Sequence, residues 1–333
     1  MCPGPSNDHR RAPHLSTRAE HARDGQAFMS GPRVRRFRSV ASIEGQLVKI
    51  ATGVNRSGTS FTANLLLELK ADLGPPALLL GPDHRNERGY FENKEILAAN
   101  IGLLLGHHVN PKFWADQIEG RPVPRGIRLA MAAAKLQYFT PTRALTSWRA
   151  KKMSARLMEL GRKYENVIVN DARFSSTLSV WCRYVPISRV LYIYRNPSAV
   201  VRSLEKAYGL PRWAGYIFWR QRVDEFFAHV ADVPFIMVHY DSFFDDRLWR
   251  HEIGRLYKFI DKPFDEREGL HALERTRESR LRHWGEEPLD NLPRRVVETY
   301  RRLHSIHRDH AELTPIRASA PRRSESPADV SIL

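Results

Sequence analysis

Eight residues, Gly53-Val54-Asn55-Arg56-Ser57-Gly58-Thr59-Ser60, constrain the fold of this chain more than any other stretch. The apolar run Leu47-Val48-Lys49-Ile50-Ala51 comes just before them. Phe61, Leu65, Leu66 and Leu69 follow at helical spacing over 59–69. A short apolar run ending at a glycine reads as a buried strand, and the three-to-four spacing reads as one face of a helix. A strand, a tight turn bracketed by Gly53 and Gly58, and a helix in succession suit a parallel sheet with helices laid over it.

The rest of the chain repeats this alternation. Val167-Ile168-Val169, Val190-Leu191-Tyr192-Ile193-Tyr194 and Phe235-Ile236-Met237-Val238 are further strand candidates. Helical patterns begin near Ser198 and run over 213–230 and 249–260. The expected fold is therefore α/β: a three-layer α/β/α arrangement with a central, mostly parallel sheet. Ligands bind such sheets at the carboxyl ends of the strands.

With 333 residues and 42% hydrophobic content, the chain can bury one large core. No linker composition interrupts its middle, so one domain is expected over 45–310. Residues 1–44 and 311–333 are rich in Pro, Ser, Arg and Ala without periodicity and read as disordered tails. The formal net charge of +16 favours anionic partners. Much of that charge lies over 10–38 and 317–323, where solvated ends are preferred to nucleic-acid-binding arms. Arg10, Arg11, Arg18 and Arg23 suit either a transit peptide or an Arg-rich bacterial N-terminus.

Cys2 and Cys182 give neither a disulfide framework nor a metal-ligand spacing, and this fits a reducing compartment. No secretory apolar region and no membrane-length apolar run occurs. A cytoplasmic, bacterial setting is expected, with no metal.

The spacing of Gly53 to Ser60 matches the Walker A pattern of P-loop proteins, except that Thr59 stands where the lysine belongs. The backbone N–H groups of such a loop can cradle a phosphate, and the following helix adds the positive end of its dipole. The cation has moved to Arg56, inside the loop. Kinases and NTPases need the lysine and a magnesium-holding acid, and the clearest later strand leads into Arg195 instead.

A second constellation is Tyr194-Arg195-Asn196-Pro197-Ser198-Ala199-Val200-Val201-Arg202-Ser203. Pro197 suits a first helical turn, and Arg195 with Ser203 could converge on another phosphate. Two phosphate-gripping motifs on separate strands imply a ligand with two separated phosphate groups.

Together these motifs resemble the donor site of sulfotransferases that use PAPS (3′-phosphoadenosine-5′-phosphosulfate), in the form found in bacterial members and tyrosylprotein sulfotransferases. The resemblance covers about 48–283. It implies a P-loop NTPase-like sulfotransferase fold. It also implies that Asn55, Arg56, Ser57, Gly58, Thr59 and Ser60 take the 5′-phosphosulfate, with Arg56 and Thr59 catalytic, and that Arg195 and Ser203 take the 3′-phosphate.

Gly89-Tyr90-Phe91-Glu92 is similar to a segment of the bacterial members. It makes Glu92 the candidate general base and Glu95 the second, although Glu92 equally suits a helix N-terminal carboxylate. His107 and His108 are weaker candidates. Asn170-Asp171-Ala172-Arg173 matches the family's Lys-Asp-Pro-Arg only at Asp171 and Arg173. Val238-His239-Tyr240-Asp241 is similar to a structural strand end, and Arg280-Leu281-Arg282-His283 to a basic segment closing over the nucleotide; Arg282 is taken as nucleotide-binding. Phe113, Trp114, Tyr138, Phe139 and Trp148 suit either core or an acceptor pocket.

The implied reaction is sulfuryl transfer from PAPS to a hydroxyl or amine of a carbohydrate, glycolipid, peptide or small metabolite. A P-loop kinase, and a sulfotransferase homologue that binds nucleotide without turnover, are the alternatives.

Overall fold

The structure is a computed structural model and describes residues 47–82, 89–106, 137–230, 233–277 and 288–309. The two tails lie outside the described residues, as do His107, His108, Phe113, Trp114, Arg282 and His283.

Four strands form the sheet: β1 (Val48–Gly53), β2 (Ile168–Asn170), β3 (Ile187–Tyr194) and β4 (Phe235–His239). Their order is β2-β1-β3-β4, and every pairing is parallel. Each predicted strand is present, with ends shifted by up to three residues. β1 faces β2 through Ile50 opposite Val169, and faces β3 through Ala51 opposite Leu191. From β1 the chain leaves to one side for β2 and later to the other for β3 and β4. That reversal opens a crevice at the carboxyl ends of β1 and β3.

Both faces of the sheet are buried, as a run such as Val190 to Tyr194 requires. Ala51, Leu191, Ile193, Ile236 and Val238 face α1 (Thr59–Glu68), α8 (Trp249–Phe259) and α9 (Glu266–Thr276). On the opposite face, Ile50, Val169, Val190, Tyr192 and Phe235 meet the remaining helices. These are α2 (Lys94–Leu105), α3 (Arg143–Lys152), α4 (Ser154–Lys163), α5 (Phe174–Trp181), α6 (Pro197–Tyr208), α7 (Arg212–His229) and α10 (Arg294–Asp309). The architecture is thus the expected α/β/α sandwich.

Local chemistry fixes the elements that frame the crevice. α6 starts where Asn196 caps it, its side chain accepting from the Ser198 N–H, with Pro197 in the first turn; it stops at Gly209, whose φ is 63°. α2 is capped by Asn93, which accepts from the N–H groups of Glu95 and Ile96. No described helix is long and apolar enough to cross a membrane.

Candidate functional site

β1 ends at Gly53, whose tight surroundings exclude any side chain: an added Cβ would lie 2.2 Å from the Ile193 carbonyl oxygen. The chain then turns through Arg56, which has a φ of 72°. Gly58 closes the loop with a φ of 100°, and a Cβ there would meet the Tyr240 ring at 2.1 Å. Ser57 is fully buried beneath the turn, where its hydroxyl donates to the Ile193 carbonyl over 3.0 Å and its N–H to the Val54 carbonyl. Its donors close the loop from inside. The expectation that Ser57 binds ligand is therefore revised to an internal role, because a hydroxyl spent on β3 cannot reach into the crevice.

Gly58 is the N-cap of α1, and no side chain caps that terminus. No acidic residue lies in the first turn either. Among the described residues no side chain takes up the first N–H groups of this helix, so they and its positive end lie open beside Thr59 and Ser60. This is a fit for an anionic group.

The second motif converges on the first. Arg56 Nε donates to Ser203 Oγ over 2.9 Å, joining the β1 loop to the second turn of α6. Arg195 follows the last residue of β3, is nearly buried, and sits over the Tyr240 ring with its Cζ 4.4 Å from the centroid. Its Nε donates to Asp241 Oδ1 over 3.2 Å, while the other carboxylate oxygen of Asp241 accepts from the Asn196 N–H. Tyr240 therefore floors Gly58 and supports Arg195 together. The sequence placed Tyr240 and Asp241 only as a strand end; the contact that gives them a role joins residues far apart in the chain.

Glu92 sits across the crevice at the end of β2. It is 8% exposed, and its carboxylate accepts from Arg173 Nη1 over 3.1 Å. The same nitrogen donates to Asp171 Oδ1 over 2.8 Å. Asp171 is fully buried and also accepts from Asn100 Nδ2 over 2.8 Å. Asn100 is held in turn, its oxygen accepting from the Thr177 hydroxyl and the Trp181 indole. Burial pushes the Glu92 carboxyl up to about 7; Arg173 opposes this and the Asp171 charge adds to it. The side-chain cap of α2 is Asn93, and Glu92 precedes it.

Two buried polar atoms at this end lack hydrogen-bond partners among the described residues: Arg173 Nε and Asn170 Oδ1. Asn170 otherwise donates to the Tyr90 carbonyl. Glu95, the second base candidate, points elsewhere, to Lys163 at 2.7 Å and to the Tyr164 hydroxyl. Lys163 and then Tyr164 hold its carboxyl below the usual range.

Aromatic side chains complete the wall. Asn55 Nδ2 donates to the Tyr138 hydroxyl over 3.3 Å, and buried Arg222 donates to the Tyr138 carbonyl. Burial first, then the Tyr138 hydroxyl, push the Tyr208 hydroxyl above its usual range, with Arg56 and Arg173 opposing. Phe139 packs edge-on against Phe218, whereas Trp148 is 53% exposed on α3. Of the described aromatic candidates, Tyr138, Phe139 and Trp148, only Tyr138 is hydrogen-bonded to the loop. Among the described residues no group of His, Cys, Asp and Glu is arranged to hold a metal ion.

No protein-family model matches the chain, and no curated protein sequence matches it. The chain is similar to sulfotransferases of known structure. One is the sulfotransferase domain from the Synechococcus PCC 7002 olefin synthase, 15% identical, covering 86% of this chain and 90% of that one with a TM-score of 0.37. A second is sulfotransferase STF1 from Mycobacterium tuberculosis H37Rv, 12% identical, covering 78% and 77% with a TM-score of 0.38. A third is sulfotransferase STF9 from Mycobacterium avium, 14% identical, covering 80% and 76% with a TM-score of 0.37.

Proposed function

We propose that this chain is a sulfotransferase that transfers a sulfuryl group from PAPS to a hydroxyl or amine, releasing adenosine 3′,5′-bisphosphate. The observation that supports this reading is the Arg56–Ser203 hydrogen bond, which joins the loop after β1 to the helix after the adjacent strand β3, the two motifs to which we assign the two ends of the donor. A ligand with one phosphate cluster would use the loop alone. A ligand with phosphates at two positions of one ribose would use both.

When bound, PAPS supplies a sulfur atom attached to a phosphate oxygen, and the bond between them breaks. Arg56 and the uncapped N–H groups of α1 hold the 5′ end and stabilise the charge left on that oxygen. Thr59 and Ser60 lie at the same helix start to donate hydroxyls. Arg195 and Ser203 hold the 3′-phosphate, with Asp241 fixing the guanidinium plane against Tyr240. Glu92 takes the acceptor proton as the new bond to sulfur forms. A carboxyl titrating near 7 is suited to that exchange at neutral pH. No metal is needed for these roles.

Calorimetric titration with adenosine 3′,5′-bisphosphate, without magnesium, tests the proposal. Binding that is lost in Arg56→Ala and Arg195→Ala supports it. Absence of such binding, with magnesium-dependent binding of ATP instead, replaces it with the kinase reading. Binding without transfer from labelled PAPS to any acceptor in a broad screen leaves a nucleotide-binding homologue without turnover.

A further inference from the structure

A pocket outside this crevice opens between α3, α5 and α7. Arg143 enters it from the first residue of α3, Arg183 from just beyond α5, and His229 from the end of α7. Ser147, Ser176 and Ser179 line its walls. Arg183 Nη1 donates to Ser147 Oγ over 3.3 Å, so its guanidinium is turned against the pocket wall.

We propose that this pocket is a second anion site that takes a tetrahedral oxyanion, sulfate or phosphate, independently of the donor loop. Two guanidinium groups and the hydroxyls of Ser147 and Ser179 converge here from separate elements beside the His229 imidazole, and such a set matches an oxyanion in charge and in donors. The one carboxylate among the described residues that line it, Glu225, is already engaged: it accepts from Arg222 at 3.2 Å, from the Ser176 hydroxyl, and from Gln221 at 3.3 Å. Its charge is balanced from the core side. The start of α3 adds to the field, because its N-cap Thr142 makes no capping hydrogen bond and its hydroxyl turns to Gln137 instead.

The neighbouring histidine reports this field. Burial first, then Arg143 and Arg183, push the His229 imidazole down to about 4. Among the described residues, the charged groups that face the pocket are Arg143 from α3, Arg183 beyond α5, and Glu225 with its partner Arg222 from α7. An oxyanion seated among them offsets the two guanidinium charges and favours the imidazolium, so occupancy raises the His229 pKa.

The experiment is an NMR pH titration of the full chain, with the His229 signal among the 14 histidines identified by its loss in His229→Gln. The probes are inorganic sulfate and inorganic phosphate, against sodium chloride at matched ionic strength. The expected result is a saturable rise in the His229 pKa of about one unit, a tenfold change in proton affinity. The rise persists in Arg56→Ala, which breaks the donor loop, and vanishes in Arg143→Gln/Arg183→Gln. Ser179→Ala, a milder change, reduces affinity several-fold and serves if the double variant does not fold. A His229 titration that sulfate and phosphate leave unchanged overturns the proposal. So does a shift that chloride reproduces, that survives in the double variant, or that disappears in Arg56→Ala.

Discussion

Arg56 and Ser203 lie 147 positions apart in the chain, yet the guanidinium Nε of one donates to the hydroxyl of the other over 2.9 Å. The bond spans the crevice between the loop after β1 and the helix after β3. Without it, Arg56 would be a polar residue of a glycine-bracketed turn and Ser203 a hydroxyl on a helix face.

This contact makes the two residues energetically dependent. Arg56→Ala and Arg195→Ala are each expected to weaken adenosine 3′,5′-bisphosphate binding by about ten- to a hundredfold, the range of a charge-assisted hydrogen bond. Ser203→Ala is expected to weaken it by less. The Arg56→Ala/Ser203→Ala double variant should lose less than the product of the single losses, because side chains in contact are not additive. Calorimetry on the four proteins completes the cycle; strict additivity would mean that the two side chains do not act together on the ligand.

Glu92 carries its own pH signature. Its carboxyl titrates near 7 in the fold against 4.5 in the unfolded chain. Between those values the folded protein keeps a proton that the unfolded chain has lost. The stability contributed by this group is thus fully present below about 4.5 and falls as pH rises towards 7, by about 3 kcal/mol in all. Glu92→Gln should remove this slope in denaturant unfolding at pH 4.5, 6 and 8. Under the proposed function it should also lower sulfuryl transfer by about a hundred- to ten-thousandfold and abolish the arm of the pH–rate profile near 7. A variant that keeps that arm would assign the base elsewhere.

Gly58→Ala tests the loop. The backbone there holds a φ of 100°, and the new methyl carbon would lie 2.1 Å from the buried Tyr240 ring. Strain and overpacking together should cost about 2–4 kcal/mol, read as a lower melting temperature. Tyr240→Ala in the same background should relieve the steric part. If Gly58→Ala melts like the parent, the loop is not seated on Tyr240.

Asn100 tests the support beneath Glu92. It is fully buried and joins Asp171 to Thr177 and Trp181. Asn100→Ala leaves an oxygen of the Asp171 carboxylate unpaired inside the fold, at a cost of about 2–4 kcal/mol. The same change should shift the pH–rate arm assigned to Glu92, because Asp171 shares Arg173 with it. A loss of stability without a moved arm would restrict Asn100 to packing.

The sheet was legible because parallel strands buried on both faces are continuous apolar runs: β1, β3 and β4 announce themselves through Val48 to Ala51, Val190 to Tyr194 and Phe235 to Val238. The loop was legible because glycine spacing encodes a backbone path. Side-chain direction was not. Ser57 belongs to the motif yet faces β3, and only the three-dimensional path of the turn decides that. Glu95 lies two residues beyond Asn93, on a side of α2 that meets Lys163 and Tyr164 of a helix region over sixty residues away. Tyr240 was legible only as part of a strand end, since its importance is the close approach of Gly58 on one side and of Arg195 on the other. Local pattern gives elements and turns; long-range contact gives the roles of the side chains between them.

The Tyr240 ring makes the crevice a single mechanical part. A plate clamped between a turn of backbone and a distant guanidinium transmits any displacement of one to the other. Retuning this protein for an anion of different span therefore cannot proceed one end at a time. A library that varies Arg195 or the β1 loop alone will mostly return damaged proteins, whereas one that varies Tyr240 together with either end can move both jaws of the vice at once.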